Sequence, residues 1–241
     1  MELVKSNSPV ALYYQLKEIL SDKILSNEWS LGERLPTEFE LCEQYGVSRI
    51  TVRQALAELE REGLIVRKQG LGTFVSFPKI EQTLASFYSF TEGFRKRGLV
   101  PRNEVVDFEI KQADAKAQKI FGLTDKSLIY SFTRLRLASD LPIAIESTYL
   151  PVDLFPGLTK KELAKSPLYE IMSKRYGVVA NSAEESFGAV ALGRKEAKIF
   201  GLKEGAAALD LERLAYNASR CVEYTRGVVR GDKFRFQVKL D

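Results

Sequence analysis

The sequence predicts an α+β fold in two domains, and two observations indicate it. Near the N-terminus, three short helical patterns are joined by tight turns and followed by two strand-like runs around a glycine turn. Farther along, strand-like segments alternate with short helices, and one helix motif returns 79 residues later. With 241 residues, 45% of them hydrophobic and 28% charged, the chain is long enough for two packed cores.

The composition argues against several classes of protein. The longest segment without Asp, Glu, Lys or Arg runs from Ser6 to Leu16, well short of the roughly 18 apolar residues that span a bilayer. No apolar run follows a basic N-terminus, so we expect no secretory signal, no membrane partner and a cytoplasmic location. The chain has no His, and Cys42 and Cys221 lie far apart, so we expect no metal site and no cofactor.

The charge balance gives no simple indication of a nucleic-acid partner. The net charge is +4, yet residues 1–78 contain nine Lys and Arg against eleven Asp and Glu, which is a net −2, and the remainder carries +6. DNA binding by the N-terminal part would therefore depend on where particular side chains lie.

Ser8-Pro9 predicts the start of the first helix, because Ser is a good cap and Pro suits the first helical position. An apolar stripe with three- and four-residue steps follows, from Leu12 to Ile24. Thr37-Glu38-Phe39-Glu40 has the form of a capping box and opens a second helix that should stop at Gly46.

Ser48 then caps a third helix only two residues on, so the second and third helices form a helix-turn-helix. The apolar positions of the third helix fall on one side of it, while Arg49 and Arg53 lie one turn apart on another side. The strand-like runs 64–68 and 73–75 flank a glycine turn and predict a hairpin. These elements in this order define a winged helix-turn-helix, which we place at residues 1–76, with a connector at 77–83.

Residues 84–241 are predicted to form a second, mixed α/β domain built from a duplicated unit. Gln118-Lys119-Ile120-Phe121-Gly122-Leu123 returns as Ala197-Lys198-Ile199-Phe200-Gly201-Leu202. The alignment extends into the strands that follow, where 131–135 matches 210–214, and each copy then has a hairpin turn and a strand bearing a glutamate. Two matching helices with matching hairpins indicate a doubled sheet unit.

Three local features of this domain predict an anion site. Arg134 and Arg136 are two apart in a strand, so they share one face, where two guanidiniums repel unless an anion joins them. A solvated strand end is the alternative. Ser89-Phe90-Thr91-Glu92 is a further capping box, and Ser166-Pro167 should cap a helix with Tyr169 in its first turn. Plain caps remain the alternative for both, but helix N-termini beside paired arginines favour phosphate.

The segments Pro36-Thr37-Glu38, Val47-Ser48-Arg49-Ile50-Thr51-Val52-Arg53-Gln54-Ala55-Leu56 and Gly70-Leu71-Gly72-Thr73-Phe74-Val75 closely resemble the DNA-binding half of GntR-superfamily transcription regulators. The resemblance implies contacts to phosphates, major-groove base edges and, at the wing tip, the minor groove. The implied DNA-binding residues are Thr37, Ser48, Arg49, Thr51, Arg53, Gln54, Lys68 and Gly70. Two positions depart from the usual pattern, because many relatives have Arg in place of Phe39 and Lys or Arg in place of Leu71.

Residues 84–241 resemble the UTRA effector domain of the HutC subfamily, whose fold is similar to that of chorismate lyase, and the resemblance is greatest to repressors of amino-sugar utilisation. In those relatives the effector is a sugar phosphate such as N-acetylglucosamine 6-phosphate or glucosamine 6-phosphate. The implied effector-binding residues are Ser89, Phe90, Thr91, Arg134, Arg136, Glu146, Ser166, Tyr169 and Glu223. The likeness weakens at Arg226-Gly227 and at Val229, where the amino-sugar regulators have Tyr before Arg-Gly-Asp.

The sequence is thus interpreted as a homodimeric repressor, and not an enzyme, that binds a pseudo-palindromic operator in double-stranded DNA and is released by a phosphorylated sugar. Three alternatives stay open. The regulator could respond to another metabolite, the second domain could be an enzyme of chorismate-lyase-like fold, or it could serve only to dimerise a constitutive DNA-binding protein.

Overall fold

A computed structural model of the chain describes residues 9–26, 28–77, 80–84, 90–95 and 99–238. The chain divides into two compact units, Met1–Lys79 and Ile80–Asp241. In the described ranges, no helix combines the length and the apolar character needed to cross a bilayer.

The first unit consists of three helices and a hairpin. Its elements are α1 (Leu12–Leu25), α2 (Glu38–Tyr45), α3 (Arg49–Arg61) and the antiparallel strands β1 (Ile65–Lys68) and β2 (Gly72–Val75). One core joins the apolar sides of all of them, with Leu16, Leu41 and Leu56 almost fully buried. The winged helix-turn-helix arrangement follows from these contacts.

Local signals set the boundaries of α2 and α3 as the sequence predicts. The capping box is present, since Thr37 Oγ1 accepts a bond from Glu40 N (3.3 Å) while Thr37 N donates to Glu40 Oε2 (2.7 Å). Gly46 ends α2 in the left-handed region at φ 66°, which suits a residue without Cβ. Ser48 Oγ then accepts a bond from Thr51 N (3.2 Å) and caps α3.

The predicted start of α1 is wrong. The helix begins at Leu12, three residues after Pro9, and the residue before it is an extended Ala11 (ψ 139°) without a side-chain cap. Because Ala11 is extended, helical hydrogen bonding starts at its carbonyl, while the Gln15 side chain donates to the carbonyl of Val10 (2.6 Å). Ser8 lies outside the described residues.

The second unit is built on a six-stranded antiparallel sheet. Its spatial order is β4-β5-β6-β9-β8-β7. The strands are β4 (Pro101–Gln112), β5 (Leu128–Ala138), β6 (Leu141–Pro151), β7 (Ser182–Ala191), β8 (Ala207–Asn217) and β9 (Arg220–Arg230). Helices α5 (Ala115–Phe121) and α8 (Arg194–Phe200) pack on one face, against Ile129 and Ile145.

This sheet confirms the predicted duplication. Helices α5 and α8, strands β5 and β8, and strands β6 and β9 each begin and end 79 residues apart. The two halves meet along β6 and β9, where Ser147 pairs with Arg226, its own equivalent in the second half. The halves are therefore related by a pseudo-two-fold axis through that pair.

The other face of the sheet carries α6 (Lys160–Lys165) and α7 (Leu168–Tyr176), which pack on Tyr130 and Phe132. Ser166 does not cap α7 as predicted. Its backbone N–H instead closes α6 on the carbonyl of Glu162 (2.9 Å), and Pro167 stands at the N-cap of α7.

The predicted connector 77–83 overlaps a strand. Strand β3 (Ile80–Thr83) pairs in parallel with β10 (Phe234–Gln237) and buries Ile80 and Gln82, so residues 80–83 belong to the second unit. Since the partner strand lies some 150 residues away, the local sequence gives no sign of the pairing. A short helix, α4 (Phe90–Arg95), follows, with Phe90 against Phe234 (5.4 Å between ring centroids).

Candidate functional site

The front of α3 in the first unit presents two arginines that share one glutamate of α2. Arg49 Nε lies 3.0 Å from Glu38 Oε2, and Arg53 Nε lies 3.1 Å from the same oxygen. The arginine side chains are 70% and 60% exposed, whereas that of Glu38 is 23% exposed. Although partial burial opposes ionisation, the bonds from Arg49 and Arg53 hold the pKa of Glu38 below its usual value.

The predicted hydroxyl contacts to DNA are engaged in local structure. Thr37 Oγ1 bonds Glu40 within the capping box, and Ser48 Oγ lies 2.8 Å from Thr51 Oγ1. These groups fix the entry to α3, whose first N–H groups and positive dipole end face away from the helix body. Their direct contact with phosphate stays a prediction.

The wing completes this surface. Gly70 has φ 74° at the tip of the hairpin, and Lys68 Nζ lies over the ring of Phe74 (4.7 Å to the centroid). Gln54 is exposed on α3. Phe39 and Leu71, the two departures from the usual pattern, are exposed as well. The candidate DNA interface thus combines a capped helix start, a guanidinium pair and a glycine tip.

The second unit contains a cavity beneath α4 and α7. Seven of the nine predicted effector residues line it: Phe90, Thr91, Arg134, Arg136, Glu146, Tyr169 and Glu223. Ser166 does not line it, and Ser89 lies outside the described residues. Leu168, Leu211, Arg213 and Thr225 complete the lining.

Arg134 lies at the centre of the cavity wall and its side chain is only 1% exposed. Its Nη2 donates to Thr148 Oγ1 (3.0 Å), and a chain of bonds continues from Thr148 to Thr225 (2.8 Å) and on to Glu223 (2.7 Å). Burial, and then the charge of Arg136, lower the pKa of Arg134 to about 10, so it remains a cation at neutral pH. Within the described residues, its Nε has no hydrogen-bond partner.

Glu146 joins the two predicted arginines from the neighbouring strand. Arg136 Nε donates to Glu146 Oε2 (2.8 Å), and Arg134 Nη2 lies 4.0 Å from that oxygen. Burial opposes ionisation of this carboxyl, but Arg136 and Arg134 hold its pKa below the usual value. Gly227 pairs with Glu146 across the strands, and a Cβ there would lie 2.4 Å from the carbonyl oxygen of Ile145.

Arg213 is a lining residue that the sequence analysis missed. It is the equivalent of Arg134 in the second half of the sheet, since 210–214 aligns with 131–135. Its Nη1 lies 3.3 Å from Glu185, and its guanidinium stacks over the ring of Tyr169 (5.5 Å). Burial and the nearby Glu223 raise the pKa of Tyr169 well above its ordinary value, so its hydroxyl stays protonated as a donor. The 79-residue repeat is the sequence feature that could have identified Arg213.

The cavity therefore sets the guanidiniums of Arg134, Arg136 and Arg213 beside the carboxylates of Glu146 and Glu223. Glu185 lies next to Arg213. Buried arginines with donors left over can bind an anion by charge-assisted hydrogen bonds, and the carboxylates can accept bonds from hydroxyl or amino groups. Among the residues that the structure describes, no group of three or more Cys, Asp or Glu is placed to hold a metal ion.

Comparisons with known proteins match both units of the chain. Residues 12–75 match the model of the bacterial regulatory proteins of the gntR family, and residues 96–235 match that of the UTRA domain. The chain is 36% identical to the HTH-type transcriptional repressor NagR of Bacillus subtilis over 99% of its length and 98% of that protein. It is 28% identical to a probable fructoselysine utilization operon transcriptional repressor of Escherichia coli, over 86% of the chain and 84% of that protein.

The chain is also similar to solved structures. The crystal structure of PhnF from Mycobacterium smegmatis matches with a TM-score of 0.68 and 27% identity, covering 93% of this chain and 98% of that one. A winged helix-turn-helix followed by a duplicated sheet with a buried, arginine-lined cavity defines a DNA-binding transcription regulator. The chain belongs to the GntR family and carries a UTRA domain. The enzymatic alternative is thereby wrong, since these proteins are regulators.

Proposed function

We propose that this regulator is a cytoplasmic homodimeric repressor of a sugar or amino-sugar operon, released from its operator by a phosphorylated sugar such as N-acetylglucosamine 6-phosphate or glucosamine 6-phosphate. The observation that carries the proposal is the pair Arg134 and Arg136, which lies in the wall of the cavity and is largely shielded from solvent. The similarity to repressors named for fructoselysine utilization and for mannosyl-D-glycerate transport and metabolism supports a sugar-derived effector.

In this proposal the effector's phosphate binds Arg134, Arg136 and Thr91, and its sugar end contacts Glu146 and Glu223. Each charge-assisted hydrogen bond contributes about 1.5–3 kcal/mol. Several such bonds make a phosphorylated sugar strongly preferred over its neutral parent. The hydroxyl of Tyr169 is hydrogen-bonded to Glu223 and orients that carboxylate in the cavity.

On the DNA side, each protomer binds one half of a pseudo-palindromic operator, because the two-fold symmetry of a dimer is matched by that of its site. Arg49 and Arg53 release their bonds to Glu38 and bind DNA phosphates or the edges of guanine bases. Gly70 approaches the minor groove. Release requires the effector to bind more tightly to the state with lower DNA affinity, and a nearly complete release requires about 5.5 kcal/mol of difference.

Thermal-shift measurements test the effector. We expect glucosamine 6-phosphate or N-acetylglucosamine 6-phosphate to raise the melting temperature, and unphosphorylated glucosamine and N-acetylglucosamine to leave it unchanged. Stabilisation by a different phosphorylated metabolite alone would retain the anion site and replace the sugar. Indifference to every phosphorylated compound would favour a domain that only dimerises.

A further inference from the structure

The segment just before α2 runs alongside the wing and carries an arginine, Arg34, that the sequence analysis did not single out. Arg34 pairs antiparallel with Phe74 of β2, and Leu35 N donates to the carbonyl of Thr73 (2.9 Å). On its other side Phe74 pairs with Val66 of β1. The segment before α2 therefore extends the hairpin by a third strand.

Arg34 lies on the outer face of the wing together with Lys68, one of the predicted DNA-binding residues. Residues that stand directly opposite each other in an antiparallel pair have their side chains on the same face. Arg34 stands opposite Phe74, and Lys68 stands opposite Gly72, two residues from Phe74. The neighbour Leu35 faces the other way, into the core. Two cations of the wing thus share the face that is turned away from the core.

Gly72 provides a seat for the guanidinium of Arg34. A Cβ built on Gly72 would lie 2.8 Å from Arg34 Nε and 3.4 Å from Nη2, so the guanidinium occupies the space that a side chain would take. The φ of Gly72 is 119°, which a residue without Cβ adopts without strain. The wing backbone therefore positions the guanidinium, although Arg34 is an exposed residue.

Arg34 differs from the other arginines of the first unit in its lack of an ion pair. The other four are each paired with a glutamate: Arg49, Arg53, Arg61 and Arg67. In the part of the chain that the structure describes, the Arg34 side chain takes part in no ion pair and no hydrogen bond. Its guanidinium donors are therefore available to an anion from outside the chain.

The charge of Arg34 also acts near the start of α2. This helix contains three glutamates and no Lys or Arg. Bonds from Thr37, and after them the charge of Arg34, hold the pKa of Glu40 below its usual value. Since exposed carboxylates repel DNA phosphates, a cation at this place offsets an unfavourable part of the surface.

We propose that Arg34, held on Gly72, binds a phosphate of the operator backbone beside the wing. This inference rests on the DNA interface of the proposed function. A guanidinium matches phosphate oxygens with two parallel donors, and a pre-positioned one loses less freedom on binding. Arg49 and Arg53 must first leave Glu38, whereas Arg34 gives up no ion pair. A phosphate is the partner because Arg34 extends from the flank of the wing, away from the tip and from α3.

The salt dependence of DNA binding by the full chain tests this assignment. Arg34→Ala should weaken binding to the operator and to random DNA alike, by roughly tenfold, and should reduce the slope of log K against log salt by about 1. Thermal melts should coincide with those of the parent, since the side chain is exposed. An unchanged slope would overturn the proposal, and so would a loss confined to the operator, which marks a base contact.

The matched control is Arg61→Ala, which removes the same charge from another exposed arginine of the first unit. Arg61 lies in the last turn of α3, about 18 Å along the helix from Arg49. We expect this variant to keep the parental slope and affinity. A loss equal to that of Arg34→Ala would overturn the proposal, because overall charge would then explain both results.

A double-mutant cycle tests the seat. Gly72→Ala should weaken DNA binding in the parent, since its methyl group displaces the guanidinium of Arg34. In an Arg34→Ala background the same change should cost nothing further, because both changes remove one contact. Additive losses would show that Gly72 acts through the wing backbone and would overturn its role as the seat.

Arg53→Ala, measured in the same assays, separates this inference from the proposed DNA interface. If Arg53→Ala weakens operator binding and Arg34→Ala leaves binding and slope unchanged, the interface stands and the assignment of Arg34 is wrong. If neither change affects binding, the proposed interface itself fails.

Discussion

The same arrangement, two arginines sharing one glutamate, is found in both units of the molecule. In the first unit Arg49 and Arg53 bond Glu38 at the surface, and in the second Arg134 and Arg136 face Glu146 inside the sheet. At the surface, water competes with each bond, so the cluster is worth little to stability and its arginines can change partner. In the interior the charges depend on one another, and a missing member leaves the others buried without compensation. Solvent exposure, rather than residue type, thus separates a surface suited to DNA from a cavity suited to a small anion.

The largest effect is expected for Arg134→Ala. Removing this buried cation leaves Glu146 and Glu223 poorly compensated, so we expect the free energy of unfolding to fall by about 3–5 kcal/mol. Denaturant unfolding measures the loss, and operator release should require much more sugar phosphate than in the parent. Arg134→Lys keeps the charge without the planar fork and should fold better while still responding weakly. Normal induction in both variants would remove Arg134 from the proposed site.

Arg53→Ala should have a large effect on DNA binding and almost none on folding. We expect operator affinity to drop by about 1–3 kcal/mol, as for the loss of one good base contact, in a binding assay at fixed salt concentration. Stability should change by about 0.5 kcal/mol or less, since the side chain is largely exposed. Stabilisation by the sugar phosphate should be unchanged. Footprints identical to those of the parent would contradict the proposed role of Arg53.

Acid should weaken the buried cluster around Glu146. Because the pKa of Glu146 is lower in the folded protein than its usual 4.5, its stabilising contribution is present above that value and is lost as the pH falls through the folded pKa. We therefore expect Glu146→Gln to lose less stability between pH 5 and pH 3 than the parent does, as followed by thermal melts (about one proton of linkage). Parallel pH curves for the two proteins would contradict this.

The smallest effect is expected for Glu38→Gln. Loss of an exposed ion pair should cost about 1 kcal/mol or less of stability. With the shared carboxylate gone, Arg49 and Arg53 are less ordered and a negative charge near the phosphates is removed. Binding to random DNA should therefore strengthen relative to the operator, which competition assays measure. Glu43→Gln, at an exposed position of the same helix, is the matched control and should keep the parental ratio.

The bounds of α2 and α3 were predictable because they depend on adjacent residues. The Thr37 capping box, Gly46 and Ser48 each act within four positions, so the sequence contains the whole cause. The pairing of β3 with β10 joins segments at opposite ends of the second unit, and no local pattern encodes it. Ser166 has the right residue type for a cap, yet its N–H closes the preceding helix instead.

The residues of the candidate site also divide into those that the local sequence predicts and those that depend on distant pairing. Arg134 and Arg136 were predictable because a strand places alternate residues on one face. Arg213 comes to the same cavity through the pairing of β8 with β9, and only the 79-residue repeat, applied position by position, points to it. Direct contacts of Thr37, Ser48 and Ser166 with any partner remain predictions.

The 79-residue duplication has a consequence for recognition. If both halves were identical, the cavity beside their axis would present the same groups on either side and would suit only a molecule with matching ends. The halves differ in the wall, since the lining residue Glu146 has Thr225 as its equivalent, and they differ next to it, since the equivalent of Thr148 is Gly227. The two sides of the cavity therefore present different groups, which suits a ligand whose two ends differ in chemistry.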